Sequence, residues 1–159
     1  MNENNELLMH IYKSAEMGVY STTGLINALK NKDNKIKHVL ECELKGYEKF
    51  MKESEEILVK RKVTPKKSGI MAKMGNDMGI MYETMKDNSD AAIASMLVEG
   101  FTMGVIEMET KISQYKNIAN RGVIKMARDF KLFQENEINK LKTFMWNVFL
   151  FILICAIMF

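Results

Sequence analysis

The sequence predicts an all-α protein: a four-helix bundle with a helical crossover between helices 2 and 3 and an apolar helix at the C-terminal end. Three observations predict it. Between Asn5 and Thr143 there is one proline, Pro65; apolar residues recur every three or four positions; and no stretch sustains the two-residue alternation of a half-buried strand. A chain of 159 residues is also long enough to bury one core without disulfides or a structural metal.

Helix 1 is expected from about Glu6 to Lys30, with Leu7, Ile11, Ala15, Thr22, Ile26 and Leu29 on its inner face, and the turn NKDN (Asn31 to Asn34) follows it. Helix 2 begins near Asp33 and continues to about Lys62, carrying Ile36, Leu40, Leu44, Tyr47 and Met51 inward until Pro65 closes it. Helix 3 starts after DNSD, where Ser89 or Asp90 is a good N-cap, and runs to about Asn117. Its stripe is Ile93, Leu97, Gly100, Phe101, Gly104, Met108 and Tyr115. The glycines, each about 1 kcal/mol less favourable than Ala in a helix, imply a close helix neighbour. Helix 4 runs from about Asn120 past Lys142 with Ile124, Ala127, Phe130, Ile138, Leu141 and Met145 inward, and no breaker separates it from the apolar tail.

The connection Val63 to Ser89 is far longer than the roughly two to eight residues that join antiparallel neighbours in bundles. It contains IMAKMGNDMGIMYETM, with Met71, Met74, Met78, Met81 and Met85 spaced three, four, three, four. Thioethers bind Cu(I), but this is also the heptad spacing of a buried helical stripe. The histidines (His10, His38) and cysteines (Cys42, Cys155) that a copper box would add lie far off in sequence. The methionines therefore read as a seam packed on the outside of the bundle. A helix of about seventeen residues covers roughly 25 Å, enough to return helix 3 to the end where helix 2 starts. Gly75 and Gly79 weaken this segment, which is expected to be the most mobile of the domain.

Composition narrows the partners. With 23 basic and 20 acidic residues the net charge is +3, and no basic stripe interleaved with aromatics points to nucleic acid. The basic run VKRKVTPKK (Val59 to Lys67) reads as a solvated helix end and linker, with anionic lipid contact as the alternative. Two distant cysteines support neither a disulfide framework nor a zinc site, and fit a reducing compartment. The opening MNENNELLMH lacks the basic and apolar segments of a signal peptide. Nucleophile-elbow, phosphate-loop, dinucleotide and zincin motifs are absent, so familiar catalytic classes are excluded.

The tail FMWNVFLFILICAIMF (Phe144 to Phe159) has no charge and only Asn147 as a strongly polar residue. Sixteen residues cover about 24 Å as a helix, somewhat short of the roughly 30 Å of bilayer hydrocarbon. The run is apolar around nearly its whole circumference, Lys140 and Lys142 stand just before it, and Trp146 falls where amphipathic aromatics settle. The chain therefore divides into a bundle, 1–143, and a C-terminal tail anchor, 144–159, with the bundle on the cytoplasmic face of a membrane. Trp146, Phe149, Phe151, Ile152, Ile154 and Phe159 would face lipid. The alternative is a sticky helix buried against other copies; a homo-oligomer is expected on either reading.

SAEMGVYSTTGLI in helix 1, EGFTMGVIEMETKISQYK in helix 3 and ARDFKLFQENEINKLKTF in helix 4 resemble a group of small bacterial ferritin-like proteins of unassigned function, over roughly Leu8 to Phe144. The resemblance implies a ferritin-like bundle with one long crossover and, more distantly, di-iron or di-manganese chemistry. Such a site needs a Glu from each of two helices and a Glu-x-x-His pair from each of the others. Neither pair exists here: helix 2 offers the reversed HVLE, and in helix 4 Glu137 is followed three residues later by Lys140.

Stepping about 100° per residue from the apolar stripes places Glu43, Glu107 and Glu137 near the core and Glu16 at a boundary. Lys111 lies one turn after Glu107, and Gln134 one turn before Glu137. Unpaired buried carboxylates are very costly, so the favoured reading is an ion-paired polar cluster of Glu43, Glu107, Lys111, Gln134 and Glu137 that needs no cofactor. Two alternatives remain: acids that flank the core and reach water, or an oxygen-only site of Glu16, Glu43, Glu107 and Glu137 for iron, manganese or calcium. His38 reads as a surface or boundary residue. The function that follows is non-catalytic: a membrane-attached bundle with a structural or interaction role. The alternative is an iron- or manganese-binding, storage or oxidation protein.

Overall fold

A computed structural model of the protein describes residues 2–65, 77, 80–83 and 85–157, with side chains described as far as Trp146. Among the described residues the chain is all-helical. Four long helices are bounded: α1 (Glu3–Ala28), α2 (Lys37–Lys60), α3 (Asp90–Tyr115) and α4 (Arg121–Ile157).

Their ends follow from local chemistry. The Asn2 side chain accepts from the backbone N–H of Asn4 and starts α1 three residues earlier than the apolar pattern indicates. Ser89 caps α3, its hydroxyl accepting from the N–H of Ala92 at 3.2 Å. α2 ends before Pro65 is reached. Lys62 adopts a left-handed φ of 61°, and the N–H groups of Val63 and Lys62 bond back to the carbonyls of Leu58 and Val59 at 2.9 and 2.8 Å. This is the pair of hydrogen bonds that usually closes a helix over a glycine. Proline stands three residues beyond the stop, and the stop itself is the turn at Lys62.

Side-chain bonds between helices fix their directions. Asp90, at the start of α3, accepts from the Asn34 amide at 2.8 Å and from the Lys35 backbone N–H at 2.9 Å, just before α2 begins. At the other end, the Tyr115 hydroxyl donates to Glu6 at 2.7 Å and the N–H of Asn120 donates to the Asn4 side chain at 2.6 Å. Hence α2 and α3 run the same way, opposite to α1 and α4, and the chain between α2 and α3 joins opposite ends of the bundle. Met71, Met74 and Met78, with Gly75 and Gly79, lie outside the described residues. Of the seam, Met85 packs against the core while Met81 is exposed.

The middle of the core is aromatic. Tyr47 stacks on Phe101 with centroids 5.8 Å apart, and Phe50 meets Phe130 edge-on at 5.0 Å. Two glycines make this possible: a Cβ at Gly18 would fall within the Tyr47 ring, and one at Gly46 within the Phe133 ring. Gly100, by contrast, faces open space and is exposed, so the expected close approach is absent there. α1 packs along α2 and α3 along α4, while contact between α1 and α3 is sparse. α3 is also long and apolar enough to cross a membrane by length and composition, with Met103 and Ile106 exposed on its outer side.

Gly46→Ala is expected to cost about 1–3 kcal/mol in denaturant unfolding, because a packed ring must shift. Gly100→Ala is expected to gain about 0.5–1 kcal/mol, since only helix entropy changes at an open position.

Candidate functional site

A polar layer interrupts the core next to the aromatic cluster. Glu43 from α2 and Gln134 and Glu137 from α4 are 1%, 4% and 2% exposed, with Thr22 of α1 beside them. Each stands on the inner stripe of its helix. In α2 the buried positions are Leu40, Glu43, Tyr47, Phe50, Ser54 and Leu58, and in α4 the spacing Ala127, Phe130, Gln134, Glu137, Leu141 is continuous. The acids occupy places where the pattern asks for apolar residues. Gln134 fits because α3 presents Gly104 opposite it, where a Cβ would meet the amide nitrogen.

Two bonds partly satisfy the layer. The Thr22 hydroxyl donates to Glu43 Oε1 at 2.8 Å. The Lys140 ammonium, half-exposed at the rim, reaches in one turn along α4 to Glu137 Oε1 at 2.7 Å. Glu43 Oε2, Glu137 Oε2 and Gln134 Oε1 find no hydrogen-bond partner. Burial is the main force on Glu43 and pushes its carboxyl up to about 8; the Thr22 bond opposes the shift, nearby Glu137 adds to it and Lys140 relieves it. At neutral pH Glu43 is therefore largely a neutral acid. Burial, then the neighbouring Glu43, also holds the Tyr47 hydroxyl well above the usual phenol range.

Glu16 is 1% exposed rather than at a boundary, because Tyr12, one turn earlier on α1, donates its hydroxyl to Glu16 Oε1 at 3.3 Å and shields it. Burial first, and Glu16 next, push that hydroxyl up to about 12. Glu16 sits six residues before Thr22, about 9 Å along the helix, and its bond goes to Tyr12 rather than to the layer.

Two expected members lie outside the buried layer, Glu107 at the open rim of the space beside it. Glu107 has a side chain 60% exposed and lies 3.8 Å from His10 Nε2; the inward place on α3 belongs to Met108, one residue and about 100° on. Burial lowers the His10 pKa, Glu107 opposes this, and Lys111 adds to the lowering. Lys111 is half-buried on the same outer side, and the lysine that neutralises an acid of the layer is Lys140. Its signal was in the sequence: a basic residue three positions after Glu137 is in reach along a helix. His38 and the free thiol of Cys42 are exposed, away from the layer.

Among the described residues no three His, Cys, Asp or Glu side chains come together as metal ligands. The set Glu16, Glu43, Glu107 and Glu137 does not fit iron or manganese: one member is bonded to Tyr12, one faces solvent, and one already holds an ammonium. What the layer can do chemically is hold a proton on Glu43 and accept hydrogen bonds at its open oxygens. The chain matches no known protein family, no characterised protein and no solved structure.

Because the folded Glu43 holds its proton to about 8 and the unfolded one only to its ordinary 4.5, the native state binds more protons between those values, so stability falls as pH rises through that window and is unaffected by this group below it. Glu43→Gln should flatten that fall, which approaches about 1 kcal/mol per pH unit at its steepest, in urea unfolding followed from pH 5 to 9. Lys140→Met is expected to cost about 1–2 kcal/mol by the same measurement, a buried-pair loss reduced by the exposure of its ammonium. Lys111→Met should stay within about 0.5 kcal/mol.

Proposed function

We propose that this chain is a non-catalytic, membrane-attached helical bundle of the ferritin-like kind, which presents a surface for assembly and binds no resident metal. The observation that carries the reading is the unbroken course of α4. Its 37 residues run from the buried core, where Leu141 is fully covered, through Trp146, 70% exposed, and on through the uncharged stretch to Ile157. An exposed tryptophan at the first turn of an apolar run is where a membrane interface would sit. A helix of that length is about 55 Å, more than a bundle of 24- to 26-residue helices can cover. Of the remaining residues assigned to lipid, Phe149, Phe151, Ile152 and Ile154 lie on α4 beyond the described side chains, and Phe159 lies outside the described residues.

The ferritin-like part of the proposal rests on the helix directions, with α2 and α3 parallel and joined across the bundle's length, and on the sequence resemblance. The absence of catalysis rests on the layer. Lys140 occupies the position three residues after Glu137 where a dimetal protein carries its histidine, and its ammonium supplies the positive charge that a metal otherwise would. α3, apolar enough to span by composition, is tied to α4 by the pair Lys131–Glu109 at 2.6 Å, which favours its place in the bundle.

Trp146 is the protein's one tryptophan, so its emission reports the boundary directly. With lipid vesicles the full chain should show a blue shift and quenching by lipids brominated along the acyl chain. Emission that ignores the brominated lipid but shifts with protein concentration would assign the tail to assembly and overturn the anchor.

A further inference from the structure

The sparse contact between α1 and α3 leaves a groove of about 400 Å³, within the range of small-molecule sites. Its walls are apolar: Met17 from α1, and Met96, Leu97, Phe101 and Met103 from α3. Gly100 leaves its side open, with nothing within 4 Å of where a Cβ would stand. Its floor is the polar layer: Glu43, Thr22, Gln134 and Tyr47 all line it. Glu43 and Gln134 are 1% and 4% exposed, yet Glu43 Oε2 and Gln134 Oε1 have no partner. Leaving a buried polar atom unsatisfied is costly, and here two such atoms belong to side chains that line one cavity.

We propose that this groove is a binding site for a primary amine carried on a small apolar body, with the amine's N–H groups directed to Glu43 Oε2 and Gln134 Oε1. Gln134 Oε1 is an acceptor, Glu43 Oε2 becomes one when its proton leaves, and an ammonium has three donors and no acceptor. The charges agree. The layer holds two acids, Glu43 and Glu137, against the single Lys140, and a third acid, Glu107, stands at the groove's lining. Thr22 from α1 and Tyr47 on α2 are uncharged, and α3 contributes Gly104 and no cation to the floor. A carboxylate in the same groove would instead bring a further negative charge beside these acids.

Binding is coupled to a proton. Glu43 holds its proton in the empty groove; an incoming ammonium keeps its own, the Glu43 carboxyl releases one to solvent, and an ammonium–carboxylate pair results. Calorimetry in buffers of different ionisation enthalpy should therefore read the release of up to one proton per amine bound near neutral pH. The site belongs to the bundle alone and stands whether or not the end of α4 enters a membrane.

The test uses the full chain with carbon-13 methyl-labelled methionine, titrated with 4-phenylbutylamine, with 4-phenylbutanol and 5-phenylvalerate as neutral and acidic counterparts. Saturable shifts of the Met17, Met96 and Met103 methyls are expected with the amine, at least tenfold weaker with the acid. Glu43→Gln should weaken the amine at least tenfold and leave the alcohol unchanged. Gly100→Leu, which adds a side chain where space is open, should abolish both while the helical circular dichroism is retained. Equal shifts by amine and acid, or amine binding that survives Gly100→Leu or Glu43→Gln, would overturn the proposal. So would methyl shifts that follow protein concentration alone, because a second copy would then fill the groove.

Discussion

One ion pair makes the interior of this bundle tenable. Glu137 sits on the inner stripe of α4, 3% exposed at its side chain, and a lone carboxylate there would face a desolvation cost of several kcal/mol. Lys140 offsets that cost from the same helix, so the pair forms whenever α4 does and needs no tertiary contact to bring its members together. Glu43 solves the same problem differently. With Glu137 nearby and the lysine already engaged, it keeps its proton and takes one bond from Thr22. Two acids thus share one layer by different means, one paired with a lysine of its own helix and the other protonated.

The layer also explains the packing around it. Large side chains here are matched by glycines on the facing helix: Tyr47 by Gly18, Phe133 by Gly46, Gln134 by Gly104. Such pairs let helices approach closely while the core keeps its rings. Gly100 breaks the series, having no large partner, and the place where a partner would stand is the groove between α1 and α3. The opening is therefore a local departure from a rule that the rest of the core obeys. It leads to the only layer whose polar atoms, among those described, lack partners in this number.

Periodicity made the four helices legible, because heptad-like stripes over more than twenty residues leave little room for another assignment. Helix ends were less so. Asn2 and Lys62 set theirs through individual bonds that a pattern of apolar residues does not encode. In the layer, the positions of Glu43, Gln134 and Glu137 could be reached by stepping round the helix, since their apolar neighbours at three and four residues point inward. Glu107 could not be placed so, for α3 is apolar on two sides: Met108 faces the core, Ile106 and Met103 face out, and the phase of its stripe is ambiguous. Glu16 was misread for the opposite reason. It lies about 100° round the helix from the apolar stripe yet is buried, with the Tyr12 hydroxyl one turn away bonded to one of its oxygens.

The same helix that neutralises the core also carries the apolar run, and this couples the two. Six residues separate Lys140 from Trp146, about 9 Å of helix, so with Trp146 at a bilayer interface the ammonium lies within roughly one Debye length of the lipid phosphates. Lys140 then has two anionic partners in reach, Glu137 at 2.7 Å and the membrane surface. The internal one is held at fixed distance in a region of low dielectric, where an ion pair is strongest, while the surface one is screened by salt. Charge that stays inward relieves the upward shift of the Glu43 carboxyl; charge drawn outward would remove that relief and push the carboxyl further up. With the apolar run in a bilayer, the protonation of Glu43 would in that way respond to the charge of the lipid surface, through Lys140 on one continuous rod.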